Sequence, residues 1–284
     1  MKTIVDLVRA PAALSVLGDS LAGAASVGAP MRGRRLLLPL ASVALYWSGM
    51  ALNDWADRAL DAVERPERPI PSGRISPGAA FGTAAGLTGA GLALAGLGGG
   101  RRGFGTATAL AAAIWAYDTT LKPTAFGPAG MASCRALDVL LGASGSRQRE
   151  ALPTVAAIGA HTYAVTALSA GEVHGAARST ARFALGTTAV AAVTALSGRA
   201  RFPRDRVAAA GWGAVYAGTV GTAQWQAVRE PAAPAVRAAT AAGIHGMVPL
   251  QATVLARRGS RWTAALLGAG LPLARRLAKR VSPT

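Results

Sequence analysis

Long apolar runs separated by short polar breaks set the pattern of this chain. The clearest runs cover 35–52, 77–99, 151–171, 183–197, 207–228 and 236–256. Weaker ones cover 10–30 (interrupted by Asp19), 103–117, 130–146 and 262–274. A bilayer crossing needs roughly 20 apolar residues, so the pattern predicts nine or ten membrane helices. Little chain is left for a soluble domain. No repeat at solenoid or propeller spacing and no low-complexity linker divides the sequence, so residues 1–284 are read as one integral membrane domain. Lys2 precedes an apolar stretch as in a signal peptide, but Arg9, Asp19 and the later spans favour a retained first helix.

Composition agrees with a bilayer setting. The chain is 51% hydrophobic and 15% charged, with a mean hydropathy of +0.33. Its 35 glycines, with abundant alanine, suit close helix packing through small residues. The formal charge of +17 invites a nucleic-acid reading, but the arginines are spread over nearly every loop and aromatics make up only 5%. Nucleic acid is therefore excluded as a partner. Cys134 is the only cysteine, which excludes an intramolecular disulfide and a thiolate metal cage. His161, His174 and His245 lie too far apart for zinc spacing.

The chemistry concentrates in NDWADRALDAVERPERPIPSGRIS, residues 53–76, between two apolar runs. Five of the thirteen carboxylates fall between Asp54 and Glu67. Charge so concentrated at the mouth of a membrane segment is costly and marks a site. Asn53, Asp57 and Asp61 recur at i, i+4 and i+8, with Asp54 beside them. On one helix they share a broad face whose oxygens suit a hard cation such as Mg²⁺. Arg65, Arg68 and Arg74 follow, and a guanidinium pairs bidentately with phosphate oxygens. A solvated loop with internal ion pairs is the bland alternative, and for Arg68 and Arg74 it is interfacial anchoring.

These residues resemble a known family. The N-D-x-x-D-x-x-x-D spacing from Asn53 to Asp61, then RPIPSG from Arg68, is similar to the first aspartate-rich motif of the UbiA superfamily of membrane prenyltransferases. Tyr117 and Lys122 in YDTTLK resemble that family's tyrosine–lysine loop. RAPAALSVLGDSLAG resembles its first helix. Within the superfamily, LVRAPAALSVLGDSLAG, NDWADRALDAVERPERPIPSGRIS and MASCRALDVLLG look closest to the EboC-like branch. The resemblance implies an all-α bundle of about nine transmembrane helices around a central cavity. It also implies Mg²⁺-dependent transfer of a prenyl group from an isoprenoid diphosphate to an acceptor, often aromatic. Asp54, Asp57 and Asp61 would hold the metal with Asn53 as a neutral oxygen ligand, and Arg68 and Lys122 would clamp the diphosphate. Arg74 and Tyr117 join them on the substrate side.

One stretch departs from the family. The second aspartate-rich motif corresponds to LSAGEVHGAAR, residues 168–178, which offers Glu172 alone, with Ala176 where a further acid is expected. His174 is a poor Mg²⁺ ligand because hard cations prefer oxygen. Glu172 is the second-loop ligand if there is one. A non-catalytic membrane component that binds or moves a prenylated or phosphorylated lipid is therefore the competing function. Asp118 steers the acceptor, acts as a base, or caps a turn. Arg135 is a substrate contact or neutralises Asp138 three residues on. His161, Cys134, Trp115, Trp212 and Trp225 read as bundle packing. The chain lacks the D-x-x-D-G-x-x-A-R pattern of phosphatidyltransferases, and a channel or transporter leaves the Asp/Arg order of residues 53–76 unexplained.

With a cytoplasmic N-terminus, the loops 53–76, 117–130 and 170–182 share the cytoplasmic face of the plasma membrane. Arg32, Arg34, Arg35, Arg101, Arg102, Arg199, Arg201, Arg204 and Arg206 then fall on the opposite face, so positive-inside counting does not favour that orientation.

Overall fold

The apolar periodicity is realised as helices throughout. The computed structural model describes residues 2–9, 14–145, 147–198 and 200–270, and among them there is no strand. Residues 10–13 of the first weak run, Ser146 at the end of the 130–146 run, 271–274 of the last one and Arg199 lie outside the described residues. The elements are α1 (Lys2–Leu7), α2 (Leu14–Ser26), α3 (Leu37–Ala56), α4 (Arg58–Glu64) and α5 (Pro77–Ala116). After a π-helical turn at Tyr117–Leu121 come α6 (Gly127–Gly142), α7 (Leu152–Ser169), α8 (Arg178–Leu196), α9 (Pro203–Arg229) and α10 (Ala233–Arg257). Residues 261–270 are also helical.

The 40 residues of α5 are two rods, because Gly100 (φ 62°, ψ −153°) folds the chain back on itself. A Cβ on Gly103 would lie 2.4 Å from the Ala95 carbonyl oxygen. Further along the hairpin, the Trp115 indole N–H donates to Thr88 Oγ1 at 3.1 Å, and the Phe81 and Trp115 rings sit edge to face at 5.6 Å. Two expected helices, 77–99 and 103–117, are thus joined by a glycine turn. Only glycine adopts the Gly100 conformation without strain, so Gly100→Ala is expected to cost about 1–3 kcal/mol. A lowered thermal midpoint in detergent checks this.

Counting both halves of α5, the helices α2, α3 and α5 to α10 form nine rods among the described residues. Three stretches, Gly33–Ala56, Pro77–Leu121 and Gln148–Ser169, are long and apolar enough to cross a membrane by length and composition. Small residues set the spacing. A Cβ on Gly23 of α2 would meet the Val139 carbonyl oxygen of α6 at 1.9 Å, and one on Gly142 would meet that of Ser20 at 1.8 Å. With no side chain between them, α2 and α6 touch backbone to backbone. Gly243 and Gly246 of α10 likewise admit Val165 and Val220. The core is built from Val139, Ile158, Tyr216, Met247, Leu250 and their neighbours.

Successive rods alternate in direction. The ends of α3, α7 and α9 therefore share a face with α4, the π turn and the starts of α5, α6, α8 and α10. Loops 53–76, 117–130 and 170–182 fall on that face. At the opposite end Arg35 donates to the carbonyls of Ser144 (2.7 Å) and Gly142 (3.1 Å), capping α6.

Candidate functional site

The polar insert is folded by its own hydrogen bonds. Helix α3 ends at Ala56, and Asp57 (φ −82°, ψ 1°) is the joint to α4. Asn53 to Asp61 are therefore not one continuous helix. The joint is mild: Asp57 N–H donates to Asn53 O at 2.9 Å and Asp61 N–H to Asp57 O at 2.8 Å, so i→i−4 bonding carries through. Ser76 then caps α5, its hydroxyl accepting from Ala79 N–H at 3.2 Å ahead of Pro77.

Each motif carboxylate is met by a cation from elsewhere in the chain. Asp54 is 2% exposed; its Oδ1 accepts from Arg9 Nη2 at 2.9 Å and Arg68 Nη1 at 2.7 Å. The same Arg68 nitrogen lies 3.5 Å from Asp61 Oδ2, and Arg65 Nη1 lies 3.9 Å from Asp61 Oδ1. Asp57 pairs with Lys122 from the loop after α5. Asn53 Nδ2 donates to Asp118 Oδ1 at 3.3 Å. Residues 53–68 and 117–122 thus form one cluster, as their separate motifs suggested.

Other expected residues lie apart from that cluster. Arg74 holds the loop together, donating to Asp6 Oδ2 (2.8 Å), Ser72 Oγ (3.0 Å) and Glu67 O (2.7 Å). Glu172 is half-buried in the segment after α7, and Arg237 donates to its backbone carbonyl at 2.7 Å. Arg135 does not neutralise Asp138. Its Nε pairs with Asp19 Oδ2 at 2.8 Å, because the close α2–α6 crossing brings the fully buried Asp19 against it. Gln251 of α10 completes this contact, donating to Asp19 Oδ1 at 2.7 Å. His161 is a hydrogen-bonded bundle residue, as expected. Its Nε2 faces the Gly243 carbonyl at 3.0 Å, so it donates there, and Nδ1 accepts from Tyr216 OH at 2.8 Å.

Two chambers open beneath the cluster. One, of about 110 Å³, lies between α3, α5 and α6 and is lined by Gly49, Tyr117, Asp118, Arg135 and Asp138 among others. The second, of about 310 Å³, is lined by Tyr117, Arg135, His161, Ser169 and Thr240 among others. Tyr117, Met131 and Arg135 border both. Sequence reasoning did not single out Arg9 for the site. It stands 45 residues from Asp54, and no local spacing signals such a pairing.

The oxygen donors suit a hard cation, and Asp61 Oδ2 is buried without a hydrogen-bond donor. Among the described residues no three His, Cys, Asp or Glu side chains are gathered around one point. Arg9 and Arg68 both rest on one Asp54 oxygen, and Lys122 on one Asp57 oxygen.

Comparison with known proteins places this geometry. The model of the UbiA prenyltransferase family matches residues 13–228. A digeranylgeranylglyceryl phosphate synthase of Methanothrix thermoacetophila is 46% identical over 85 residues, 27% of this chain and 32% of that protein. One from Methanopyrus kandleri is 41% identical over 101 residues, 34% of this chain and 35% of that protein. The alignments thus span about a third of the length of these curated relatives. A solved structure from work on the biosynthesis of digeranylgeranylglyceryl phosphate synthase in membranes superposes with a TM-score of 0.68 at 16% identity, covering 90% of this chain and 98% of that one. The apo structure of a UbiA homolog from Aeropyrum pernix gives 0.59 at 15% identity, covering 95% and 97%. Identities that low establish the shared fold.

Proposed function

Because the chain belongs to the UbiA prenyltransferase family, we propose that it transfers a prenyl group from an isoprenoid diphosphate to an acceptor inside the membrane. The observation that carries this reading is the exchangeable charge cluster. Arg9 and Arg68 rest on Asp54, Lys122 on Asp57, and Arg68 lies 3.5 Å from Asp61, while Asn53 reaches Asp118 in the lining of the smaller chamber. A diphosphate arriving there offers the three cations a partner of higher charge, and their release frees the carboxylates. Asp54, Asp57 and Asp61 with Asn53, and Glu172 from the loop after α7, would be the oxygen ligands for Mg²⁺. When bound, the metal stabilises negative charge developing on the departing diphosphate. Arg68 and Lys122 do the same from the protein side, where low dielectric strengthens them. The apolar chamber walls shield the allylic cation from water, and Tyr117 and Asp118 line the space where an acceptor meets it.

The EboC-like branch, the plasma membrane and a cytoplasmic position of the motif face belong to this reading. The competing reading, a lipid-binding component without turnover, draws on Glu172 being the single acid of residues 168–178. Diphosphate release separates the two. Lys122→Met is expected to slow release from a prenyl diphosphate about 100-fold, in line with removal of one preorganised donor. Unchanged release would remove Lys122 from the site, and no release from the wild type with any donor would favour the lipid-binding component.

A further inference from the structure

Arg135 spends its charge away from Asp138. Its Nε is on Asp19 at 2.8 Å, and its Nη2 donates to Ser15 O at 3.1 Å. Asp138, one helical turn further along α6, is left without a basic side chain in ion-pair range among the described residues. Its Oδ2 accepts from Ser42 Oγ at 2.7 Å. Its Oδ1 is buried and has no hydrogen-bond donor. A carboxylate 3% exposed in the middle of a membrane bundle, with one oxygen unsatisfied, is expensive to keep.

That carboxylate lines the smaller chamber, whose lining also includes Asp118. On α6 the lining runs from Met131 to Asp138, about 10 Å at 1.5 Å per residue. This is the length of one substituted six-membered ring, and about 110 Å³ is the matching volume. The chamber's charged complement is two carboxyl groups and an arginine paired with Asp19, beside the hydroxyls of Ser42, Tyr46 and Tyr117. An anionic ligand would face the carboxyl oxygens of Asp118 and Asp138, whereas a hydroxyl or N–H group would satisfy Asp138 Oδ1.

We propose that this chamber binds the polar head of the acceptor, and that the acceptor is a small uncharged molecule whose hydroxyl or N–H donates to Asp138. Calling the ligand the acceptor rests on the prenyl-transfer reading; the binding site does not. With its donor group on Asp138, a ring would point its far edge toward Asp118 and the motif cluster. Ser42 holds the Asp138 carboxyl group in place, and the direct ion pair of Arg135 is with Asp19.

Cys134 gives a native reporter, since it is the only cysteine of the chain and lines the same chamber, 8% exposed. The experiment follows methyl methanethiosulfonate labelling of Cys134 by mass spectrometry, on the full chain in nanodiscs. Phenol, aniline, anisole and benzoate serve as probes. Phenol and aniline are expected to slow labelling about fivefold or more, and anisole and benzoate less than about twofold. Asp138→Leu is expected to erase that difference while leaving Mg²⁺-dependent binding of a prenyl diphosphate unchanged. Equal protection by phenol and anisole, strongest protection by benzoate, or a Cys134 that no probe protects or no reagent reaches would overturn the proposal. The wild-type comparison decides even if Asp138→Leu does not fold. Loss of prenyl diphosphate binding in the wild type would instead sink the prenyl-transfer reading and leave the chamber result standing.

Discussion

Asp54→Asn is expected to lower diphosphate release by about 1,000-fold, the upper range for loss of one group that organises transition-state charge. Asp54 is the hub of the cluster: a single oxygen takes both Arg9 at 2.9 Å and Arg68 at 2.7 Å. Without that charge the two guanidinium groups repel, and Arg68 has only Asp61, now at 3.5 Å, to move toward. The diphosphate would meet a displaced clamp, and the metal site would lose one of its oxygens. Losing the charge also removes two part-buried ion pairs, so the thermal midpoint is expected to fall as well. Release assays and thermal unfolding on the same preparation check both parts. A variant that unfolds at lower temperature yet releases diphosphate at the wild-type rate would make Asp54 structural.

Gly142→Ala is expected to give the largest stability loss of any single methyl added to the bundle. The new Cβ would stand 1.8 Å from the Ser20 carbonyl oxygen, a backbone atom with no rotamer to escape into. Overpacking of this kind costs typically about 1–3 kcal/mol. Here α2 must move as a whole. It carries Asp19, so the 2.8 Å contact with Arg135 opens with it. Gly23→Ala, facing Val139 O at 1.9 Å, should behave alike. Gly82→Ala is the control, since nothing lies within 4 Å of its Cβ position; its midpoint should hold or rise slightly. Thermal unfolding of the three variants in one detergent settles the comparison.

The helices were legible because burial in a bilayer forces continuous apolar runs whose ends are marked by charge, glycine and proline. The break between the apolar runs 77–99 and 103–117 marked the α5 turn. The order of Asn53, Asp54, Asp57, Asp61 and Arg68 was legible because about two turns of helix and one loop bring them together locally. Contacts between distant segments were not. Arg9 on Asp54 and Asp19 on Arg135 depend on helix crossings that no local spacing encodes. The i, i+3 spacing of Arg135 and Asp138 suggested a pair, and the tight α2–α6 crossing overrode it. The acid-poor segment 168–178 could be read from sequence, but the Arg237 contact to the Glu172 carbonyl joins residues 65 apart and could not.

The account stands on the motif cations and carboxylates trading partners when a diphosphate arrives. The most direct measurement titrates a prenyl diphosphate into the nanodisc-embedded protein with and without Mg²⁺, following heat of binding and free diphosphate together. The account predicts binding that Mg²⁺ strengthens, followed by release of diphosphate. Binding indifferent to Mg²⁺, or tight binding with no release even when cell extract supplies acceptors, would contradict it.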